Sequence, residues 1–124
     1  STQSEKTLLP SAANNFRCVA LDRVTKAMVM ENKPNPELFR HTEHVPMGMV
    51  DAFVSHSWED DAEDKWEALQ EWRTKFREAN CREPRVWFDK LCVHQEHITA
   101  ESLASLPVYV AGCTKFLVLH GSTY

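Results

Sequence analysis

Two short stretches hold most of the side chains that could do chemistry. Ser55, His56, Ser57 and Trp58 stand together in VDAFVSHSW, and Asp89, Cys92, His94, Gln95 and His97 stand together in FDKLCVHQEH. A serine beside a histidine suggests a nucleophile and its base. Successive residues of an extended chain point to opposite faces, however, and no oxyanion-hole motif accompanies the pair, so a serine hydrolase is not expected. At the turn from a strand into a helix, Ser55 and Ser57 are suited to capping the helix or to donating hydrogen bonds to a ligand. Trp58 could stack on a flat ring or simply pack. Cys92, His94 and His97 offer a thiol and two imidazoles, enough for three zinc ligands. No second pair at ligand spacing lies elsewhere, so no metal is expected there. Without a basic partner at fixed spacing, Cys92 reads as a buried thiol rather than a nucleophile.

Such groups act only if a scaffold brings them to one place. The apolar run ending at Ser55 reads as a buried strand of an α/β sheet. After it, Trp66, Leu69, Trp72 or Arg73, and Phe76 recur at steps of three and four, which predicts an amphipathic helix over 61–79. Acids at 59, 60, 61, 63 and 64 crowd its amino end, while Arg73, Lys75 and Arg77 gather toward its carboxyl end. The helix macrodipole favours that arrangement, which explains the acidic cluster without catalysis. Residues 80–84 close the helix, and RVWFD at 85–89 is a second strand. Residues 90–99 read as a loop, Pro107 should begin or kink a helix within 101–113, and KFLVLH at 115–120 is a third strand. Strand, helix and strand at this spacing predict parallel pairing with right-handed crossovers. The three carboxyl ends then place 55–58, 89–95 and 120–124 at one edge of the sheet, where open α/β sheets hold their ligands.

The chain divides near 46–48 into an N-terminal arm over 1–47, partly helical or irregular, and an α/β domain over 48–124. Within the arm, apolar residues at 16, 19, 20, 24, 27 and 28 follow a helical stripe, which predicts a helix over 16–30. A chain of 124 residues with 43% hydrophobic residues can bury one real core. With 18 acids against 14 bases, a net charge of -4 and no dense basic block, nucleic-acid binding is not expected. No apolar run reaches membrane-spanning length, so no membrane span is expected. The four cysteines show no pairing pattern, which suggests reduced thiols and a cytoplasmic or otherwise reducing compartment. The start STQSEKT lacks an initiator Met, so the chain is expected to be a piece of a longer protein.

DAFVSHSWEDD at 51–61, VWFDKLCVHQ at 86–95 and KFLVLHGSTY at 115–124, in this order and spacing, resemble Toll/interleukin-1 receptor (TIR) domains. The second segment also resembles the W-x-D-x-x-C-x-x-Q signature of fungal heterokaryon-incompatibility (HET) domains, through Trp87, Asp89, Cys92 and Gln95. The series SHSW, DK-x-C and LPV-x-x-x-GC is similar to TIR-like sequences of protists and algae. The resemblance covers about 48–124 and implies a flavodoxin-like parallel sheet with flanking helices, C-terminally truncated after the third strand. It also implies two classes of function. TIR domains are assembly modules that pair through the loop after the second strand, here Lys90, Leu91, Cys92, Val93, His94 and Gln95 within 90–99; a homo-oligomer or a protein partner could equally use an exposed sheet edge. Some TIR domains instead cleave NAD, a dissociative glycosyl transfer whose cationic transition state gains from a nearby carboxylate. In that case Ser55, His56, Ser57, Trp58, Asp89 and Tyr124 would contact NAD. The carboxylate would come from a W-C-x-x-E segment expected beyond Tyr124. The first reading of this chain is therefore an interaction or structural module, with an NAD-processing enzyme as the alternative.

Overall fold

The computed structural model describes residues 12–30, 35–56, 61–92, 100 and 104–119, with the backbone alone at 56, 89 and 90. Its strands are β1 (Arg17–Ala20), β2 (Glu43–His44), β3 (Val50–His56), β4 (Arg85–Phe88) and β5 (Cys113–Leu119). Its helices are α1 (Lys26–Met30), α2 (Ala62–Asn80), the single turn α3 (Asp89–Cys92) and α4 (Leu106–Ala111), with 3-10 turns at Leu21–Arg23 and Pro36–His41. The strands form one mixed sheet in the order β2-β1-β4-β3-β5, flanked by helices, so the fold is α/β.

The central strand β3 runs parallel to β4 on one side and to β5 on the other. The segment joining β3 to β4 carries α2. Asp61 caps that helix, its carboxylate accepting the backbone N–H groups of Glu63 at 2.8 Å and Asp64 at 3.4 Å. It ends at Cys81, whose N–H donates to the Arg77 carbonyl from a left-handed conformation, φ 56°. In α4, Pro107 occupies the first turn, where its missing N–H costs nothing.

Register and alternation divide the core between the two sheet faces. Phe53 stands opposite both Trp87 and Phe116. Trp87 stacks on Phe53 at 4.6 Å between ring centroids and on Tyr109 of α4 at 5.4 Å, so α4 covers this face. Ala52, Val54, Val86 and Phe88 are buried and, by alternation, point to the other face. The core cluster completes itself there with Leu69 of α2 and the partly buried Trp66 and Trp72.

The arm departs from its predicted helix. Residues 17–20 are strand β1, paired antiparallel to β4 through Val19↔Val86 and Ala20↔Arg85, and only 26–30 of the predicted span is α-helical. The apolar stripe is real, but the open side of β4 offers a row of backbone partners, and pairing there buries Cys18 and Val19 together. A 3-10 turn then returns Leu21 and Val24 to the same core. The sheet is consequently mixed rather than wholly parallel. A smaller correction concerns Asp89, which begins the helical turn α3 rather than ending a strand, so the predicted loop over 90–99 opens helically.

Ionic ties fasten the amino ends of the parallel strands. Asp51 takes two bonds of 2.8 Å from the Arg82 guanidinium and a third of 2.8 Å from the Arg85 backbone N–H. Glu83 accepts from Arg73 at 2.6 and 2.9 Å and lies 3.4 Å from Arg77. These pairs lock the end of α2 to the start of β4 and to β3.

Candidate functional site

The parallel strands point their carboxyl ends the same way, and this defines the rim. Ser55 lies at the end of β3, half-buried, opposite Val118; His56 follows it opposite Leu119. Val54 pairs with Phe88, so the next residue, Asp89, stands beside Ser55 in the register. The structure therefore brings the backbone positions of Ser55, His56 and Asp89 to one end of the sheet. Ser57, Trp58, Val93, His94, Gln95, His97 and Tyr124 lie outside the described residues.

Of the predicted interaction loop, Leu91 and Cys92 are buried. The Cys92 thiol sits 3.5 Å from the Phe88 N–H, which donates to it, and so ties α3 back onto β4. Those two side chains serve the core.

The remaining thiols differ in availability. Burial pushes Cys18 up to about 11, with Glu43 adding to the rise, and pushes Cys113 up to about 12. Cys113 also donates to the Tyr109 carbonyl at 3.2 Å. Cys81 is exposed, and all four cysteines are free thiols. Among the described residues no group of three or more His, Cys, Asp or Glu is placed to hold a metal ion. No helix among them is long and apolar enough to cross a membrane.

Two open cavities, of about 460 and 350 Å³, share Arg82 and Glu83 in their walls and lie at the amino ends of the strands, opposite the rim. Their linings are charged but balanced. Glu83 is held below the usual carboxylate range by its hydrogen bonds from Arg73, against the opposing effect of burial. Burial alone would raise Asp51, yet the bonds from Arg82 and the Arg85 N–H win and hold it low. Within these walls Arg82 is paired with Asp51, and Glu83 with Arg73 and Arg77.

The most distinctive surface adjoins the rim at β5. Among the described residues β5 is bonded to β3 alone, leaving its other side as an open sheet edge. Phe116 is 55% exposed and Val118 45% exposed, on the face that carries Phe53 and Ser55. Phe53 stacks on Phe116 at 5.4 Å, so the exposed ring extends the aromatic row of the core out to the edge. The individual roles of Phe116 and Val118 are not visible in KFLVLH, because both alternating phases of that run are apolar and nothing distinguishes the covered side from the uncovered one. Compared with protein-family models, with curated proteins and with solved structures, the chain matches none.

Proposed function

We propose that the chain is a TIR-like interaction or structural module with a flavodoxin-like core, part of a larger assembly, in which the side of β5 left open among the described residues accepts a further strand. One observation carries this reading. Among the described residues β5 is a seven-residue strand bonded to β3 alone, free of Gly and Pro and bearing a single Lys, and it displays two exposed apolar side chains. Natural sheets blunt such edges unless they are used, and adding a strand to one is a common mode of recognition. The order β4-β3-β5, with the first parallel strand in the middle, supports the flavodoxin-like part of the proposal.

A strand peptide tests the edge directly. Residues 113–119 as a synthetic peptide, with Ser replacing the cysteine, should bind the full chain and shift the amide resonances of β5. A peptide methylated at alternate backbone nitrogens should not. Equal binding of both peptides, or binding of neither, overturns the use of the edge. Steady nicotinamide release from NAD by the chain, lost on Ser55→Ala, would replace the module reading with the enzymatic one.

A further inference from the structure

We infer that the smaller cavity at the amino ends of the strands binds a short zwitterionic peptide, with its carboxylate on Arg85 and its ammonium group on Glu43. The register of three strands builds the site. Cys18 stands opposite Glu43 of β2 and Ala20 opposite Arg85 of β4, so Glu43 and Arg85 flank β1 on one face of the sheet. The small side chain of Ala20 lines the cavity between them. Two strand spacings across and two residues along put the Cα positions of Glu43 and Arg85 about 12 Å apart. The Cys18 thiol reports the same arrangement: burial aside, Glu43 pushes it up and Arg85 draws it down, so both charges look onto β1 from either side.

These two charges are available because the neighbouring groups are engaged elsewhere. Asp51 is taken by the Arg82 guanidinium and the Arg85 backbone N–H, and Glu83 by Arg73 and Arg77. Among the described residues the Arg85 guanidinium and the Glu43 carboxylate have no hydrogen bond or ion pair, and neither do the side chains of Arg23, His41 and Asp22 in the same wall. A simple anion drawn to Arg85 and Arg23 would face Glu43 and Asp22, and a metal cation would face the reverse. A molecule that carries both charges, set apart, matches the wall. A free amino acid holds its two charges on one carbon, too close together. A dipeptide extends to about 7 Å, and the inward reach of the Arg85 and Glu43 side chains covers the remainder. The cavity volume of about 350 Å³ lies at the small end for ligand sites, which suits two residues better than a longer peptide.

Glycylglycine is the probe. Titrated into the full chain, it should saturably shift the amide resonances of Ala20, Arg23, Glu43 and Arg85 and leave those of β5 in place. N-acetylglycylglycine lacks the ammonium group and glycylglycine amide lacks the carboxylate. Each should bind about tenfold more weakly, the loss expected for one hydrogen bond between charged groups. Glu43→Gln should weaken glycylglycine by a similar factor and leave the acetylated peptide unchanged. Arg85→Gln keeps the backbone N–H on Asp51; it should weaken glycylglycine equally and leave the amide form unchanged. Absence of saturable shifts with glycylglycine overturns the site. Equal binding of the capped peptides overturns the matching of charges, and a response to inorganic phosphate alone as strong as that to the dipeptide would replace the peptide with a plain anion.

Discussion

The two edges of this sheet are built in opposite ways. At one, β2 is two residues long, and the arm around it is held down. Arg17 donates to the Thr42 hydroxyl at 2.7 Å and to the Thr42 carbonyl at 2.9 Å, and its guanidinium lies 4.3 Å from the centre of the Phe39 ring. The Val45 N–H donates to the Phe16 carbonyl just beyond. Short, polar and pinned, this edge has little backbone to offer another chain. At the other edge, β5 runs for seven residues with Phe116 and Val118 uncovered. The contrast shows what the arm does for the fold: it takes up the free side of β4 and leaves only the short strand β2 at that end of the sheet.

The strongest way to test that contrast is to weaken the strand that lies between the two edges. Trp87 on β4 is buried and stacks on both Phe53 and Tyr109. Trp87→Ala should cost about 3–5 kcal/mol. If arm and parallel core are one cooperative unit, hydrogen exchange should show β1 and β5 losing protection together; continued protection of β1 alone would mean that the arm is a separate unit. Trp87→Phe should be much milder, since the indole N–H that it deletes is buried and has no hydrogen-bond partner among the described residues.

Next in size is the tie beneath β3. Asp51→Asn exchanges a carboxylate held by Arg82 and the Arg85 N–H for a neutral amide, and should cost about 1–3 kcal/mol. Its pH signature has a definite sign. The folded chain holds both Asp51 and Glu83 below the usual carboxylate range, so their contribution is present above that range and is lost as pH falls through it toward the lower folded values. Acid unfolding of Asp51→Asn, followed by circular dichroism, should therefore be less steep than that of the unaltered chain. An identical acid profile would remove Asp51 from the account.

How much of the fold is legible in the sequence depends on whether local pattern or tertiary pairing decides the outcome. The long helix is readable because Trp66, Leu69, Trp72 and Phe76 repeat over many turns and Asp61 supplies a cap at the right place. The three parallel strands are readable because each apolar run is bounded by polar or turn residues. Strand β1 is not, since Phe16, Val19 and Val24 fit a helical stripe locally and only the vacant side of β4, far away in sequence, favours the extended form. At the rim, the positions of Ser55, His56 and Asp89 follow from strand polarity alone. The inward turn of Leu91 and Cys92 depends on the helical geometry of α3, which a four-residue segment does not announce. The Asp51–Arg82 pair is equally silent, because an acid inside an apolar strand gives no sign of its partner 31 residues away.

The pinned edge can be loosened on its own. Arg17→Ala removes the bonds to Thr42 and the stacking on Phe39, and should cost about 1 kcal/mol. Exchange should quicken at 42–45, while the protection of β5 stays as it was. If Arg17→Ala instead quickened exchange in β5 as well, the two edges would be coupled and Arg17 would not be a local pin.

The smallest expected effect has the opposite sign and lies away from both edges. Cys81 ends α2 at φ 56°, a conformation in which a Cβ crowds the neighbouring carbonyl and which helices usually give to glycine. Its thiol is exposed and the structure gives it no bond that glycine would forfeit. Cys81→Gly should therefore raise stability by up to about 1 kcal/mol, the relief of strain being partly offset by the greater freedom of glycine in the unfolded chain. Thermal unfolding measures the gain. Thiol labelling of the native variant should also slow sharply, because Cys18 and Cys92 are buried and Cys113 is partly covered and drawn toward the Tyr109 carbonyl. Rapid labelling that persisted in Cys81→Gly would place an accessible thiol on β1, α3 or β5, and so would show that one of these covered segments opens readily in the native chain.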